Sequence, residues 1–468
     1  MKPNEYSFDF SRPNVVLLGG SRGAPREMTA ECFIEDDAIA RAFARPLGPL
    51  LADLIDVALC AYVADRLSPR RTSSNDHQNR LWGRSLRLKI PVRNLEIWLR
   101  PEVVEGLCQV LRYLTEDRWQ IEFVLRGGAS RNSESQSFLF QMSPREPIRI
   151  ALFSGGLDSF AGAVQQVSSL PEHSFFFVSG TTNARQRVGQ EEQMRGVAKL
   201  TNQAPMHIIV PYGLTNVSAT LGQERSQRAR AFLHLTLGAA TALQAGAKEF
   251  FVYENGVGAI NLPYDETQVG TLNARAVHPV TLARMGKLIT KLFGASFRIS
   301  NPFLFHTKAE MCRDAALNRL GPYIGETFSC DGYPIRVKHK PQCGSCTACV
   351  LRRISLQGAG LSAWDAPQGY LRDLVSGPPP KKQRKLRELR AMAWQAYKLK
   401  QALDAPDPWR RLARSFPELE DLVTETSWYD GARQADIQQS LLRLYSQYLV
   451  EFDNFSALSI LEPRSRVA

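Results

Sequence analysis

No stretch of the 468 residues is apolar for long enough to cross a bilayer. The longest apolar run, Leu47–Ala64, is interrupted by Asp53 and Asp56, so it reads as a core helix. Met1–Phe10 carries Glu5 and Asp9 and lacks the apolar centre of an export signal. Cysteine is scarce: eight residues in a chain of this size make no disulfide framework. Four of them (Cys32, Cys60, Cys108, Cys312) are scattered and four are clustered, the usage of a reduced cytoplasmic protein with a metal site. Acidic residues are also in deficit, 46 against 58 Lys and Arg, for a formal charge of +12. That deficit is local. Lys381, Lys382, Arg384, Lys385, Arg387, Arg390, Lys398 and Lys400 surround the single acid Glu388, so this segment contributes +7 and leaves +5 for the rest. The basicity is therefore no whole-surface field.

The length is enough for two or three domains. Residues 1–145 read as an α+β region. Asp36-Asp37 opens a long helical stretch, Ala38–Arg66, broken around Pro46 and Pro49. Leu86, Leu88, Ile90 and Val92 alternate with polar residues as a half-buried strand does, and Leu95, Ile97 and Leu99 continue that period. Pro101–Glu116 is helical, Trp119–Leu125 alternates again, and Phe138–Met142 is a short strand before a boundary near Arg145. Val15–Leu18 running into Gly19-Gly20-Ser21-Arg22-Gly23 also resembles a strand entering a phosphate loop. No good helix follows it, so a surface hairpin or loop is the better reading.

The segment that organises the chain is Ile148–Phe160, IRIALFSGGLDSF. A buried strand ends in Ser154-Gly155-Gly156, and the first turn of a helix follows. Two glycines leave backbone N–H groups uncovered beside a helix N-terminus, which is a cradle for phosphate. Ser154 and Ser159 add hydroxyls, and Asp158 can hold Mg²⁺ or orient the loop. No Lys-Ser or Lys-Thr follows the glycines, which excludes a Walker loop. A glycine-rich turn without a ligand is the alternative, and the complete hexamer after a strand favours the nucleotide. Continuous apolar strands at Phe175–Val178, His207–Val210 and Phe250–Tyr253 then alternate with helices at Gln190–Leu200 and Ala229–Leu243. This predicts a doubly wound parallel α/β sheet with ligands at the strands' carboxyl ends, where Ser154-Gly155-Gly156, Ser179-Gly180 and Glu254-Asn255-Gly256 all fall. Arg225, Arg228 and Arg230 precede or open the Ala229–Leu243 helix and either meet an anion or form a solvated turn. Asn273, Arg275 and His278 are weaker candidates for the substrate side.

Cys330 is followed by Cys343, Cys346 and Cys349 in CGSCTACVLRR. Thiolates at this spacing can share one tetrahedral Zn²⁺, pinning a weakly structured loop. An iron–sulfur cluster suits the same run, and His339 can replace one cysteine. Arg352 and Arg353 follow at once, placed to reach phosphate or the thiolates.

FSGGLDS (Phe153–Ser159) resembles the loop of the PP-loop ATP pyrophosphatases, which cleave ATP to AMP and pyrophosphate while adenylating a carbonyl or carboxylate oxygen. Adding Arg228 ahead of AFLHLTLGAA, FSC at Phe328–Cys330 and CGSCTACVLRR, residues Ile148–Leu356 resemble the QueC (7-cyano-7-deazaguanine synthase) family. The resemblance implies a PP-loop core (residues 146–375) with ATP, Mg²⁺ and Zn²⁺ as cofactors. By it, Ser154, Asp158 and Arg228 carry the chemistry. Phe153, Ser154, Gly155, Gly156, Leu157, Asp158, Ser159 and Phe160 hold the nucleotide, with Gly180, Arg230, Glu254, Asn255 and Gly256, and Cys330, Cys343, Cys346 and Cys349 hold the metal. Ala229 stands where the family usually carries Asn, ENGVGAINLPY (Glu254–Tyr264) replaces its Asp-rich segment, and both ends are extended. These departures resemble the divergent, QatC-like proteins of bacterial antiphage defence operons.

After Gly377-Pro378-Pro379-Pro380, residues 376–468 read as a helical extension. Its basic helix Lys381–Leu403 interleaves Trp394 and Tyr397, and Pro406–Phe455 is helical too. Such a face suits protein docking or solvent, with nucleic-acid phosphates as a further partner. The expected activity is ATP-dependent adenylation of a deazaguanine-like carboxylate or amide, with protein partners from a defence operon and no membrane. A nucleotide-binding scaffold without turnover and an iron–sulfur tRNA-thiolating enzyme are the alternatives.

Overall fold

An α/β architecture is expected to place its strands in one layer, and the computed structural model does so with a single mixed sheet. It describes residues 4–12, 15–21, 24–70, 83–139, 146–218, 222–224, 226–264, 274–314, 319–332, 342–377 and 386–461. Among them are ten strands: β1 (Asn4–Arg12), β2 (Val15–Ser21), β3 (Ala24–Ile34), β4 (Ser85–Val92), β5 (Arg118–Leu125), β6 (Ile148–Leu152), β7 (Ser174–Thr181), β8 (Met206–Thr215), β9 (Glu249–Phe251) and β10 (Arg298–Ser300). Their spatial order is β10-β9-β6-β7-β8-β3-β2-β1-β4-β5.

From β10 to β8 every pairing is parallel, as the continuous apolar runs require. Phe175, Phe176, Phe177 and Val178 are all buried because helices cover both faces. At β8 the character changes. β3 pairs with it antiparallel, Ile34 opposite Tyr212, and carries the sheet on into the N-terminal strands. There only one face is covered, so β4 alternates buried Leu86, Leu88 and Ile90 with exposed Arg87 and Lys89. One hydrophobic core accordingly runs from β1 to β10. Val15–Ser21 and the following strand form an antiparallel hairpin, as expected of the first glycine cluster.

The apolar run at Leu47–Ala64 is a helix, Pro49–Arg66, preceded by a separate short one, Asp37–Ala42. The two aspartates that interrupt the run are fully buried, and a buried carboxylate must be paired. Asp53 accepts from Arg93 at 2.9 Å, while Asp56 accepts from Arg93 at 2.8 Å, from Arg126 at 2.7 Å and from Arg131. No helix among the described residues is long and apolar enough to cross a membrane.

Leu95–Leu99 is not a continued strand. Asp53 takes the backbone N–H groups of Arg93 and Asn94, at 2.8 and 2.9 Å, and draws the chain off the sheet into a short helix, Leu95–Trp98. Phe138 and Leu139 belong to no strand, and the rest of that segment, with Arg145, lies outside the described residues.

Four helices follow the core: Arg387–Leu403, Pro408–Ser415, Glu418–Asp430 and Gln434–Asp453. They build a second apolar cluster with Val257, Ile260, Leu304, Val350 and Ile354. Leu389, Met392, Ala396 and Leu399 of the basic helix are buried in it, whereas Lys381, Lys382, Arg384 and Lys385 lie outside the described residues. Helix Gln434–Asp453 reaches Gly256 through Leu444. A Cβ there would sit 1.9 Å from the Leu304 carbonyl oxygen and 2.7 Å from Leu444 Cδ2, so only glycine fits the turn.

Candidate nucleotide and metal sites

The glycine loop is built as a strand, a turn and a helix N-terminus. The Phe153 N–H donates to the Val178 carbonyl at 2.8 Å, keeping the chain in the sheet for one residue beyond β6. Gly155 then turns at φ +82°, which a side chain would strain. Gly156 is the N-cap of helix Leu157–Ser169 and offers no side-chain acceptor to its first turn, which leaves those N–H groups for an outside acceptor. Ser154 Oγ accepts the Gly156 N–H at 3.1 Å, and the Ser159 hydroxyl donates to the Gly156 carbonyl at 3.0 Å. The two hydroxyl oxygens lie 3.1 Å apart. Both serines therefore brace the loop from inside.

A cavity at the loop is lined by Phe153, Ser154 and Ser159 on one side and by Gly180, His234, Tyr253 and Glu254 on the others. One residue of each of the three predicted strand ends lines it, Ser154, Gly180 and Glu254, whereas Gly155, Gly156, Ser179, Asn255 and Gly256 do not. Gly180 gives room to His234: a Cβ on it would lie 2.8 Å from the ring's Cδ2. The His234 ring shares a 2.8 Å hydrogen bond with the Tyr212 hydroxyl, and burial, then the Arg230 charge, lowers its pKa to about 3, so it stays neutral.

Asn255 is fully buried and organises the acidic side. Its Oδ1 caps helix Gly256–Ile260 by accepting the Gly258 N–H at 2.9 Å. Its Nδ2 donates to Asp158 Oδ1 at 2.9 Å and to Glu254 Oε1 at 2.8 Å. Asp158 Oδ2 is held at 2.6 Å by the ammonium of Lys308, in helix Lys308–Asp314. Burial opposes the Lys308 charge, but Asp158 and Glu254 outweigh it and raise its pKa. The sequence reading missed Lys308. A local signal was present: Thr307 and Glu310 form a reciprocal cap, with the Thr307 N–H to Glu310 Oε2 at 2.8 Å and the Glu310 N–H to Thr307 Oγ1 at 3.1 Å. That T-x-x-E pattern starts a helix with Lys308 in its first turn.

Other candidates sit elsewhere. Leu157 and Phe160 are buried, and Phe160 packs on Tyr323 in the core beneath the loop. Arg230 is exposed, and neither it nor Arg228 lines the cavity. Arg228 is 3.4 Å from Glu116, which is also 3.7 Å from Arg275. His278 caps helix Pro279–Phe293, its Nδ1 accepting the Val280 N–H at 3.2 Å and lying 3.1 Å from the Tyr113 hydroxyl. Arg225 and Asn273 lie outside the described residues.

Cys330, Cys343, Cys346 and Cys349 bring their four sulfurs within 4.8 Å of one another. A tetrahedron of Zn–S bonds about 2.3 Å long has edges of about 3.8 Å, and Cys343 Sγ lies 3.9 Å from Cys349 Sγ. An iron–sulfur cluster would hold its ligands further apart. Backbone N–H groups of Cys343, Ser345, Cys346 and Cys349 point at the sulfurs from 3.2 to 3.4 Å, as thiolates around a cation need. These residues fit one zinc-like ion, and His339 lies outside the described residues. Arg352 turns away from phosphate. Fully buried, it donates to Thr327 Oγ1 at 2.7 Å, the Ile324 carbonyl at 2.7 Å, Tyr370 at 3.1 Å and Asp365 at 3.3 Å. It thereby anchors the chain entering Phe328–Cys330. Arg353 is taken up by Asp365 and Asp373. Phe328 in turn bridges to Gly156, its N–H 3.4 Å from the Gly155 carbonyl, so the cysteine segment rests directly on the glycine loop.

Residues 148–360 match the family model described as queuosine biosynthesis protein QueC. The matched span runs from the start of β6 through the cysteine-capped helix Thr347–Gly358 and leaves the N-terminal strands and the C-terminal helices outside. No curated protein matches the chain.

Proposed function

We propose, starting from a chain whose residues 148–360 form a QueC-like PP-loop core that uses ATP, that it is an AMP-forming ligase acting on a 7-deazaguanine-type carboxylate or amide. The observation that carries the reading is the helix N-terminus without a side-chain cap behind Ser154-Gly155-Gly156, next to a mostly apolar cavity whose polar lining includes Ser154, Ser159 and Glu254, and braced by the four-cysteine segment. N–H groups of that first turn would stabilise the pyrophosphate as its charge develops. The substrate oxygen attacks the α-phosphorus, and ammonia or an amine of a protein or nucleic acid then displaces AMP. Mg²⁺ accompanies the ATP. Asp158 spends both oxygens on Lys308 and Asn255, so its part is to set the loop, with Glu254 the carboxylate nearer the ligand. Cys330, Cys343, Cys346 and Cys349 would hold the zinc ion, and the segment they pin carries Phe328 against the loop.

Membership of an antiphage defence cassette belongs to the same proposal and is motivated by the extensions at both ends. Those extensions also favour a second reading, a nucleotide-binding scaffold without turnover. Purified protein with Mg-ATP and 7-carboxy-7-deazaguanine should release AMP and pyrophosphate, and Asp158→Ala should abolish the release. ATP binding without AMP across a screen of deazaguanine carboxylates and amides would overturn the enzyme reading in favour of the scaffold.

A further inference from the structure

The cavity holds one carboxylate that adenylation leaves unused. Asp158 is occupied on both oxygens, as described, and does not line the cavity. Glu254 does line it, as Ser154 and Ser159 do. It is fixed from several directions. Its carbonyl accepts from Asn301 Nδ2 at 2.8 Å, and its Oε1 accepts from Asn255 at 2.8 Å. Gly258 leaves the space its carboxylate fills, since a Cβ there would come within 2.8 Å of Oε1. The charged and titratable groups around it are Asp158 and Lys308, with neutral His234 and Tyr253 along the cavity and Asn255 and Asn301 uncharged. Burial first, then the Asp158 charge, pushes the Glu254 carboxyl up, and Lys308 pulls it part of the way back. Such a carboxyl keeps a proton at pH values where an ordinary glutamate has lost it.

We propose that Glu254 is the general base of the second half-reaction, taking a proton from the amine that displaces AMP. The assignment rests on the adenylation reading above. In the step, the amine nitrogen bonds to the acyl carbon of the acyl-adenylate and the bond from that carbon to the AMP oxygen breaks, its electron pair leaving with AMP. The nitrogen's surplus proton passes to the Glu254 carboxylate, which returns it to solvent. Glu254 shares the cavity's lining with Ser154 of the glycine loop, so a substrate held there would meet this base, and Asn255 keeps it oriented.

The test is partition. Full-length protein, Mg-ATP and 7-carboxy-7-deazaguanine are incubated with equal ammonia and hydroxylamine. Hydroxylamine is a weakly basic nucleophile that needs little help to lose its proton. Glu254→Gln should lower the ratio of amide to hydroxamate about a hundredfold, the lower range for loss of a general base, and Glu254→Asp should recover part of it. In the wild type the same ratio, divided by the ratio of free-base ammonia to free-base hydroxylamine at each pH, should rise with pH as the base deprotonates, a measurement independent of whether the variants fold. A ratio unchanged within threefold in Glu254→Gln, or a corrected wild-type ratio that does not change with pH, overturns the assignment while leaving adenylation intact. Absence of AMP from the wild type overturns adenylation and the assignment together.

Discussion

Lys308→Met should cost more stability at pH 8 than at pH 5.5, and Asp158→Asn should rescue it. The Lys308 ammonium lies 2.6 Å from Asp158 Oδ2, with side chains only 6% and 8% exposed. At an effective dielectric of about 20, that attraction is about 6 kcal/mol, offset by desolvation of both groups. Removing one partner of such a pair typically costs about 3–5 kcal/mol, because the other charge stays buried and unpaired. Here the unpaired charge also faces Glu254 through their shared Asn255. The folded Glu254 pKa is raised above its ordinary 4.5. A raised carboxyl contributes stability below its unfolded value and loses it as pH climbs through its folded value. Without Lys308 the folded value climbs further, and each additional unit removes about 1.4 kcal/mol at alkaline pH. Lys308 itself, raised in the folded state, stays charged throughout this window. Urea unfolding of wild type, Lys308→Met, Asp158→Asn and the double variant should show strong coupling that deepens from pH 5.5 to pH 8. Additive losses, equal at both pH values, would refute the carboxylate-pair reasoning.

Three further outcomes are expected. Chelation or Cys343→Ser should remove about one zinc per chain without any visible iron–sulfur band, and should weaken ATP binding about fivefold. That factor is the worth of one hydrogen bond of about 1 kcal/mol, here the contact of Phe328 with the loop; unchanged affinity in calorimetry would disconnect the two sites. Gly180→Ala places a methyl 2.8 Å from His234 Cδ2, so the ring must move into the cavity. A loss of about 1–3 kcal/mol in thermal or urea unfolding should accompany weaker nucleotide binding, and normal binding would show that His234 does not border the ligand. A chain starting at residue 146 should be insoluble, because β8 loses its β3 neighbour and helix Arg230–Ala245 loses the Pro49–Arg66 helix packed on it. Soluble, ATP-binding material would refute that dependence.

Features that neighbours along the chain decide were legible without the fold. Ile148–Ser159 forms a strand, a glycine turn and a helix because apolar run, φ-permissive residues and helix start lie within a dozen positions. The three closely spaced cysteines converge for the same reason, and Pro49 restarts a helix where it was expected to break. Leu95–Leu99 misled because five residues fit period two as well as one short turn, and the deciding contact, Asp53, is more than 40 positions away. It took the folded chain to show that Lys308 neutralises Asp158, that Arg228 faces Glu116 rather than the cavity, and that the N-terminal strands continue the parallel sheet of the glycine loop through β3 and β8. Charge pairing and strand pairing between distant segments leave no periodic trace in either partner. They are chosen by burial, which penalises every unpaired carboxylate and every open sheet edge until the fold supplies a neighbour.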